Sequence, residues 1–300
     1  MSAAAALDWS RDGGDWPLRE ACRTVEAGGL RWLVLDQGEG PVCLMLHGTG
    51  AATHSWRGLA PLLARRMRIV APDLPGHGFT DRAAPGGSTL PGMAQAVATL
   101  MDVLGVAPAL AVGHSAGAAI LCRMALDGLL APKLIVSLNG AFVGFSGPVG
   151  QFFSPLAKLL VVNPLVPHLF AWHAGDSRVV SRLLDETGSR LDPHGVELYR
   201  RLAGTPGHVA GALAMMASWD LGPLERDLPR LQVPLLLVAA TGDRTVPPGQ
   251  AYALKARMPQ TGLVRLRGLG HLAHEEDPAA VADLILGRAE AAGILPPEAG

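Results

Sequence analysis

The chain contains few charged and few aromatic side chains. Only 17% of its 300 residues are charged and 5% are aromatic, whereas an average globular domain is about 25% charged. Lys and Arg total 25 and Asp and Glu total 26, and this balance argues against a nucleic acid as partner. Because 49% of the residues are hydrophobic, the chain can bury a large core and still offer apolar surface to a ligand.

Cysteine is also scarce, and long unbroken apolar runs are lacking. Cys22, Cys43 and Cys122 show neither a CxxC motif nor the spacing of metal ligands. We therefore expect small buried thiols in a reducing cytoplasm, and neither a bound metal nor a cofactor. The most apolar stretch, residues 152–172, is interrupted by three prolines and by Lys158. This pattern predicts short helices rather than a membrane span, with peripheral membrane contact through them left open.

Short apolar runs alternate with helical patterns along most of the chain. The predicted strands are residues 31–36, 42–47, 68–71, 110–113, 134–138, 234–239 and 263–266. Between the third and fourth of these, Met93, Val97, Leu100 and Leu104 recur at helical spacing. Apolar strands that alternate with helices are typical of the α/β class, in which a mostly parallel, doubly wound sheet is covered on both faces.

One interval breaks this alternation. From residue 141 to residue 227 no good strand is found, although an ordinary crossover connection is far shorter. We interpret residues 141–227 as an inserted helical cap. The α/β core is then formed by residues 20–140 and 228–300.

A candidate nucleophile lies in the run GHSAG at residues 113–117. The pentapeptide by itself is a weak signal, but an apolar strand precedes it and an alanine-rich helical run follows. A tight turn between the two would hold Ser115 in a strained conformation, with its hydroxyl above the sheet at the N-terminus of the new helix. The alternative is a serine that merely caps the helix.

A serine needs a base to take its proton and an acid to hold that base. Asp243 follows one predicted strand and His271 follows the last one, so the chain order is Ser, Asp, His. Asp243 could instead be a simple turn residue, and Asn139 after the preceding strand has no negative charge to offer. His271 and His274 lack the spacing of a zinc protease, so we favour a short helix start at His274 over a metal site.

The negative charge that develops on the substrate needs two backbone N–H donors. Ala116 follows the nucleophile directly and supplies one. The loop HGTG at residues 47–50 supplies the other, for which we select Thr49, and Gly48 lets the backbone approach a ligand closely. We interpret His47, and the run DLPGHG at residues 73–78, as structural.

The insertion is rich in methionine and aromatic residues, which could line an apolar pocket above Ser115. The alternative is that most of them pack the cap onto the core. The residues we predict to contact substrate are Gly48, His114, Phe152, Phe153, Met215, Met216 and Trp219.

These motifs together resemble the α/β-hydrolase superfamily over nearly the whole chain. Four further segments resemble one branch of it, the magnesium-chelatase accessory proteins of bacteriochlorophyll biosynthesis. The segments are residues 15–17 (DWP), 25–32 (VEAGGLRW), 48–56 (GTGAATHSW) and 211–220 (GALAMMASWD). The branch resemblance implies a tetrapyrrole ligand and magnesium-chelatase subunits as partners.

Two hypotheses of function follow. The first is a serine hydrolase that cleaves an ester-like bond of an apolar substrate in magnesium-tetrapyrrole biosynthesis. A dehalogenase or an epoxide hydrolase would need a carboxylate where Ser115 stands. The second is a non-catalytic, tetrapyrrole-binding accessory protein of magnesium chelatase that uses the same fold as a scaffold.

Overall fold

The computed structural model describes residues 6–144, 163 and 165–298, and these residues form one eight-stranded sheet. The order across the sheet is β1-β2-β4-β3-β5-β6-β7-β8. Strands β1 and β2 pair antiparallel, as do β2 and β4, and all later pairs are parallel. The strands are β1 (Cys22–Ala27), β2 (Leu30–Gln37), β3 (Val42–Leu46), β4 (Arg68–Pro72), β5 (Leu110–His114), β6 (Leu134–Leu138), β7 (Leu235–Ala240) and β8 (Gly262–Leu266). The predicted α/β class with a mostly parallel sheet is confirmed.

Helices flank the strands. They are α1 (Trp9–Asp12), α2 (Ala60–Leu63), α3 (Leu90–Leu104), α4 (Ala116–Leu126), α5 (Leu165–His173), α6 (Ser177–Glu186), α7 (Pro193–Ala203), α8 (Pro206–Ser218), α9 (Gly222–Asp227), α10 (Gly249–Arg257), α11 (Ala273–Glu276) and α12 (Pro278–Ala291). Between β6 and β7 the described residues form α5 to α9 and contain no strand. We call these five helices, together with the turns that connect them, the insertion.

The core lies on both faces of the sheet because successive side chains of a strand point to opposite sides. In β3, Leu44 and Leu46 pack into the layer that contains α3 and α4. Cys43 and Met45 pack into the opposite layer, which contains α2 and α12. A strand that is apolar on both faces is the sign of a sheet buried from both sides, and this is the doubly wound arrangement expected from the sequence.

One strand, β1, was missed by the sequence prediction. It forms a hairpin with β2, in which Ala27 pairs with Leu30 across the two-residue loop Gly28-Gly29. Both glycines have positive φ, 60° and 75°, as a tight hairpin turn requires. The Gly-Gly pair between two short β-rich runs was the available signal.

Of the three cysteines, Cys43 and Cys122 are buried and Cys22 is partly buried, all as free thiols. Burial raises the pKa of the Cys22 thiol to about 12. Across the described ranges, no helix combines the length and hydropathy that crossing a bilayer would require.

Candidate active site

Ser115 lies in the turn between β5 and α4 and has a strained backbone. Its φ is 51° and its ψ is −115°, a combination that L-residues with a side chain rarely adopt. The strain is sustained by the surrounding structure, because the Ser115 N–H donates to Leu138 O (3.0 Å) and its carbonyl accepts from the N–H of Ala141 (3.2 Å). The hydroxyl-bearing residue is therefore held in place by the ends of β5, β6 and the segment after β6.

The two glycines around the serine let α4 pass very close to the sheet. A Cβ atom on Gly113 would lie 2.4 Å from the backbone N of Ala118, and one on Gly117 would lie 2.0 Å from Leu46 O. Neither position has room for a methyl group. The glycines thus have the steric role that the sequence motif predicts.

Asp243 and His271 are in direct contact. His271 Nδ1 lies 2.7 Å from Asp243 Oδ2, and both side chains are buried. The other carboxylate oxygen, Oδ1, accepts from the N–H groups of Thr245 and Val246 at 2.8 Å each. Asp243 is therefore a turn residue and a histidine partner at once. A proton on Nδ1 would leave Nε2 of His271 free to accept another.

The loop that carries His271 is fixed by Asn139, to which the sequence prediction gave no role. The Asn139 Nδ2 group donates to His271 O (2.9 Å) and to Gly270 O (3.1 Å), while its Oδ1 accepts from the N–H of Ala240 (2.8 Å). Asn139 lies directly after β6 with a φ of 48°, a conformation that asparagine tolerates well. The amide, with both donors and an acceptor, ties the ends of β6 and β7 to the histidine loop, which a carboxylate could not do.

His114 joins this loop to the turn that carries Ser115. Its Nε2 lies 3.0 Å from His271 O, and the two imidazole rings are 4.7 Å apart. Burial lowers the pKa of His114 well below its usual value, with His274 and His271 nearby adding to the effect. A neutral His114 that donates from Nε2 fits this position.

The loop of residues 47–50, predicted to supply an oxyanion donor, lies against Ser115. A Cβ atom on Gly48 would be 3.1 Å from the Ser115 Cβ, which places the two backbones side by side. Ala116 is the first residue of α4, so its N–H lies at a helix N-terminus, where negative charge is favoured. Among the described residues, the N–H groups of Thr49 and Ala116 have no protein acceptor.

His47 supports this loop from within the core. The N–H of Leu74 donates to His47 Nε2 (2.9 Å), and His47 Nδ1 lies 2.8 Å from Gly48 O. Since Nε2 accepts, the proton of the neutral ring belongs on Nδ1 and is donated to Gly48 O. Burial lowers the pKa of His47 well below its usual value. The structural role expected for His47 agrees with these contacts.

The insertion reaches the same loop through one face of α8. His208, Gly211 and Met215 are spaced by three and four residues and so share that face. His208 Nδ1 accepts from the N–H of Gly78 (3.0 Å), and its Nε2 lies 3.1 Å from Gly50 O. The Thr49 hydroxyl contacts Met215 Sδ at 3.5 Å.

A second part of the insertion contacts the loops of Asp243 and His271. The carbonyl of Thr187 accepts from the N–H of Arg244 (3.0 Å), and the Ser189 hydroxyl accepts from the N–H of Leu272 (2.8 Å). Ser189 is fully buried. The turn after α6 therefore lies between the acid loop and the histidine loop.

The acidic residues after His274 differ from the prediction. We expected them to begin the final helix, whereas Glu275 and Glu276 lie in the short helix α11 before it. Glu275 is buried and forms an ion pair with Arg57, and it accepts from the hydroxyls of Ser55 and Tyr199 at 2.7 Å each. Burial raises the pKa of Glu275, while Arg57 and the hydrogen bonds act against that rise. Tyr199 belongs to α7, so its hydrogen bond to Glu275 connects the insertion to the core.

The predicted substrate contacts occupy different environments. Gly48 and His114 are buried beside Ser115, as the distances above show. Met215 and Trp219 are buried in the apolar layer of α3 and α4, and Met216 is half-buried. Phe152 and Phe153 lie outside the described residues. No group of three or more His, Cys, Asp or Glu side chains suited to a metal occurs in the part of the chain that the structure describes.

Sequence comparison finds relatives over most of the chain. The sequence profile of the alpha/beta hydrolase family matches residues 43–284. A protein of Rhodobacter capsulatus named the magnesium-chelatase 30 kDa subunit is 40% identical over 274 residues, which cover 91% of this chain and 95% of that protein.

Solved structures show the same fold at lower identity. An alpha/beta hydrolase fold protein from Burkholderia ambifaria superposes with a TM-score of 0.74 and 24% identity, covering 95% of this chain and all of the other. A thermophilic esterase from Thermogutta terrifontis superposes with a TM-score of 0.70 and 22% identity, over 90% of this chain and 98% of that one. At this identity the likeness concerns the fold alone.

Proposed function

The chain belongs to the alpha/beta hydrolase family, and from that premise we propose that it is a serine hydrolase acting on an ester-like bond. The observation that carries the proposal is the buried contact of His271 Nδ1 with Asp243 Oδ2 at 2.7 Å, in loops that Asn139 and His114 tie to the turn of Ser115. Such a pairing gives the histidine the tautomer that a base needs.

In the proposed reaction, the Ser115 hydroxyl attacks the carbonyl carbon of the substrate and passes its proton to His271 Nε2. Asp243 stabilises the resulting imidazolium, and the N–H groups of Thr49 and Ala116 bind the oxyanion. The tetrahedral adduct expels the alcohol, which takes the proton from His271, and leaves an acyl group on Ser115. Water, deprotonated by the same histidine, then attacks the acyl carbon, and the acid is released as the Ser115 oxygen takes the proton back from His271. No cofactor is required.

For the substrate, we propose an apolar molecule of magnesium-tetrapyrrole biosynthesis. The support is the name of the Rhodobacter capsulatus relative, to which 40% of the aligned residues are identical. We assign residues 20–140 and 228–300 to the catalytic core and 141–227 to a helical cap over Ser115. Gly48, His114, Met215, Met216 and Trp219, with Phe152 and Phe153, are the proposed contacts.

A second candidate function is favoured by the same relative. The protein would then bind a tetrapyrrole without cleaving it, as an accessory protein associated with magnesium-chelatase subunits. We propose a cytoplasmic location for either function. The exposed apolar side chains of α5, with Trp172 at 79% exposure, support peripheral contact with a membrane.

The hydrolase proposal is tested with a fluorophosphonate probe, which reacts with activated serines. Wild-type protein should be labelled at Ser115, and Ser115→Ala should not be labelled. Failure of the folded wild type to react would reject the working nucleophile and leave the binding function.

Tetrapyrrole binding is tested with protoporphyrin IX and its magnesium form, read by tryptophan fluorescence quenching. We expect saturable binding that Met216→Glu, at a half-buried position, weakens without loss of Ser115 labelling. Turnover of short acyl esters without saturable porphyrin binding would remove the tetrapyrrole from the proposal and keep the hydrolase.

A further inference from the structure

The loop between β3 and α2 is held by one histidine from each region of the molecule. His47, from the core, binds Gly48 O at 2.8 Å, and His208, from α8 of the insertion, binds Gly50 O at 3.1 Å. The residue between these two carbonyls is Thr49, whose N–H is the proposed oxyanion donor. The two contacts therefore lie on either side of the group that must be aimed.

The protons of His208 are defined by its neighbours. The N–H of Gly78 donates to Nδ1 at 3.0 Å, so the proton of the neutral ring belongs on Nε2, where it is donated to Gly50 O. His208 is almost fully buried, and burial lowers its pKa to about 3. The ring is thus neutral near pH 7, with a single donor that is directed at the loop.

A contact at Gly50 O can orient the Thr49 N–H because peptide units are planar and trans. The Gly50 carbonyl and the Ala51 N–H are opposite ends of one such unit, and that N–H donates to Gly48 O at 3.2 Å. Gly48 O is in turn opposite the Thr49 N–H in the peptide unit two positions earlier, to which the Ala51 hydrogen bond connects it. Fixing Gly50 O therefore fixes the direction of Thr49 N–H through two rigid planes.

We propose that His208 is a positioning residue, supplied by the insertion, that aims the Thr49 N–H at the oxyanion through its hydrogen bond to Gly50 O. The role rests on the proposed hydrolase function. It also makes the donor geometry of the core dependent on the docking of α8, whose Gly211 lies so close to Gly76 that an added Cβ would be 1.9 Å from Gly76 O.

Two substitutions separate the donor of His208 from its acceptor. In His208→Gln the side-chain amide can reach the position of Nε2 and still donate to Gly50 O. In His208→Asn the shorter side chain can still accept from Gly78 N–H but no longer reaches Gly50 O. His54→Leu is the control, because His54 is also a buried histidine but neither of its ring nitrogens has a partner among the described residues.

The first readout is the rate of Ser115 labelling by a fluorophosphonate, together with kcat and KM for p-nitrophenyl butyrate. Loss of a complete oxyanion donor costs roughly 10²–10³ in kcat, so a misdirected donor in His208→Asn should cost on the order of tenfold or more, with KM unchanged. His208→Gln and His54→Leu should stay within about threefold of wild type. Equal rates for the Asn and Gln variants would overturn the proposal.

The second readout does not depend on activity. Hydrogen exchange of the Ala51 amide, which donates to Gly48 O, should speed up in His208→Asn and not in His208→Gln when it is followed in the peptide that contains it. If the wild type reacts with neither probe, the hydrolase function fails, and the exchange data alone decide the role of His208. Unchanged exchange in the Asn variant would then refute it.

Discussion

The sheet and the insertion differ in how much their packing relies on particular polar contacts. Central strands such as β5 and β6 bury every residue, and their stability comes from apolar area removed from water on two faces. The insertion packs apolar residues such as Met215 and Trp219 against the core, and it also meets the core through particular polar contacts, among them those of His208, Ser189 and Tyr199. Apolar packing tolerates exchange of similar side chains, whereas hydrogen bonds depend on single atoms. The candidate active site lies where the apolar core of the sheet adjoins the polar contacts of the insertion.

The largest effect on the contact between the insertion and the core should come from lowering the pH. Burial lowers the pKa of His77 to about 4 and those of His208 and His274 to about 3, whereas the pKa of an unburied histidine is 6.5. The unfolded chain therefore takes up protons first as the pH falls below about 6.5, and stability is lost. Each of these three groups should contribute a loss of roughly 2 kcal/mol by about pH 5.

Two buried acids, Asp73 and Glu275, oppose this trend because burial raises their pKa values. Burial raises the pKa of Asp73 to about 6, so the folded state gains a proton there before the unfolded state does and recovers roughly 1 kcal/mol by about pH 5. Thermal unfolding followed from about pH 7 down to about pH 5 should still show a marked fall in Tm. A constant Tm over that range would contradict neutral, buried histidines at the boundary.

A substitution at Asp243, in the loop after β7, should abolish activity without lowering the stability of the sheet or of the insertion. In Asp243→Asn the amide can keep the contacts to Thr245 and Val246 but favours the wrong tautomer of His271. The same change in a serine protease lowers turnover about 10⁴-fold, and we expect a loss of that order with Tm nearly unchanged. Labelling rate and calorimetry measure the two effects, and full activity in the variant would exclude Asp243 as the acid.

Breaking one anchor of the insertion should destabilise the boundary strongly. Glu275→Leu removes the buried partner of Arg57, which is only 13% exposed and keeps just the exposed Asp192 at 3.5 Å, and the loss of one member of a buried pair costs up to about 3–5 kcal/mol. The double variant Arg57→Met, Glu275→Leu removes both charges and should recover a large part of that loss. Urea unfolding of the three proteins provides the measurement. A single variant as stable as wild type would show that the ion pair does not anchor α7.

The smallest change tests how closely α8 must approach the core. Gly211→Ala places a methyl group against Gly76 O, and overpacking of this kind costs typically about 1–3 kcal/mol. Gly287→Ala in α12 is the matched control, since its added Cβ meets nothing within 4 Å and should stabilise the helix by about 0.5–1 kcal/mol. Ser115 labelling should slow in the first variant alone. Equal behaviour of the two would mean that α8 can shift without consequence.

The sequence by itself determined the sheet and the chain order of Ser115, Asp243 and His271. The signals for the strands and for the turn at Ser115 are local. Apolar runs predict the strands, and the glycines at 113 and 117 predict the turn, in each case from neighbours in the chain. The Gly28-Gly29 hairpin carried a signal of the same local kind, although the prediction overlooked it. These features could be predicted because their physical causes act over a few residues.

Only the tertiary structure decided what holds the site. Nothing near His208, Ser189 or Glu275 in the sequence marks them, since their partners Gly50, Leu272 and Arg57 lie more than eighty residues away. Asn139 was discarded because it has no charge, yet its donors and acceptor join three loops. A hydrogen bond depends on the distance and direction between two atoms, and for residues distant in the chain those are set by how the whole fold packs.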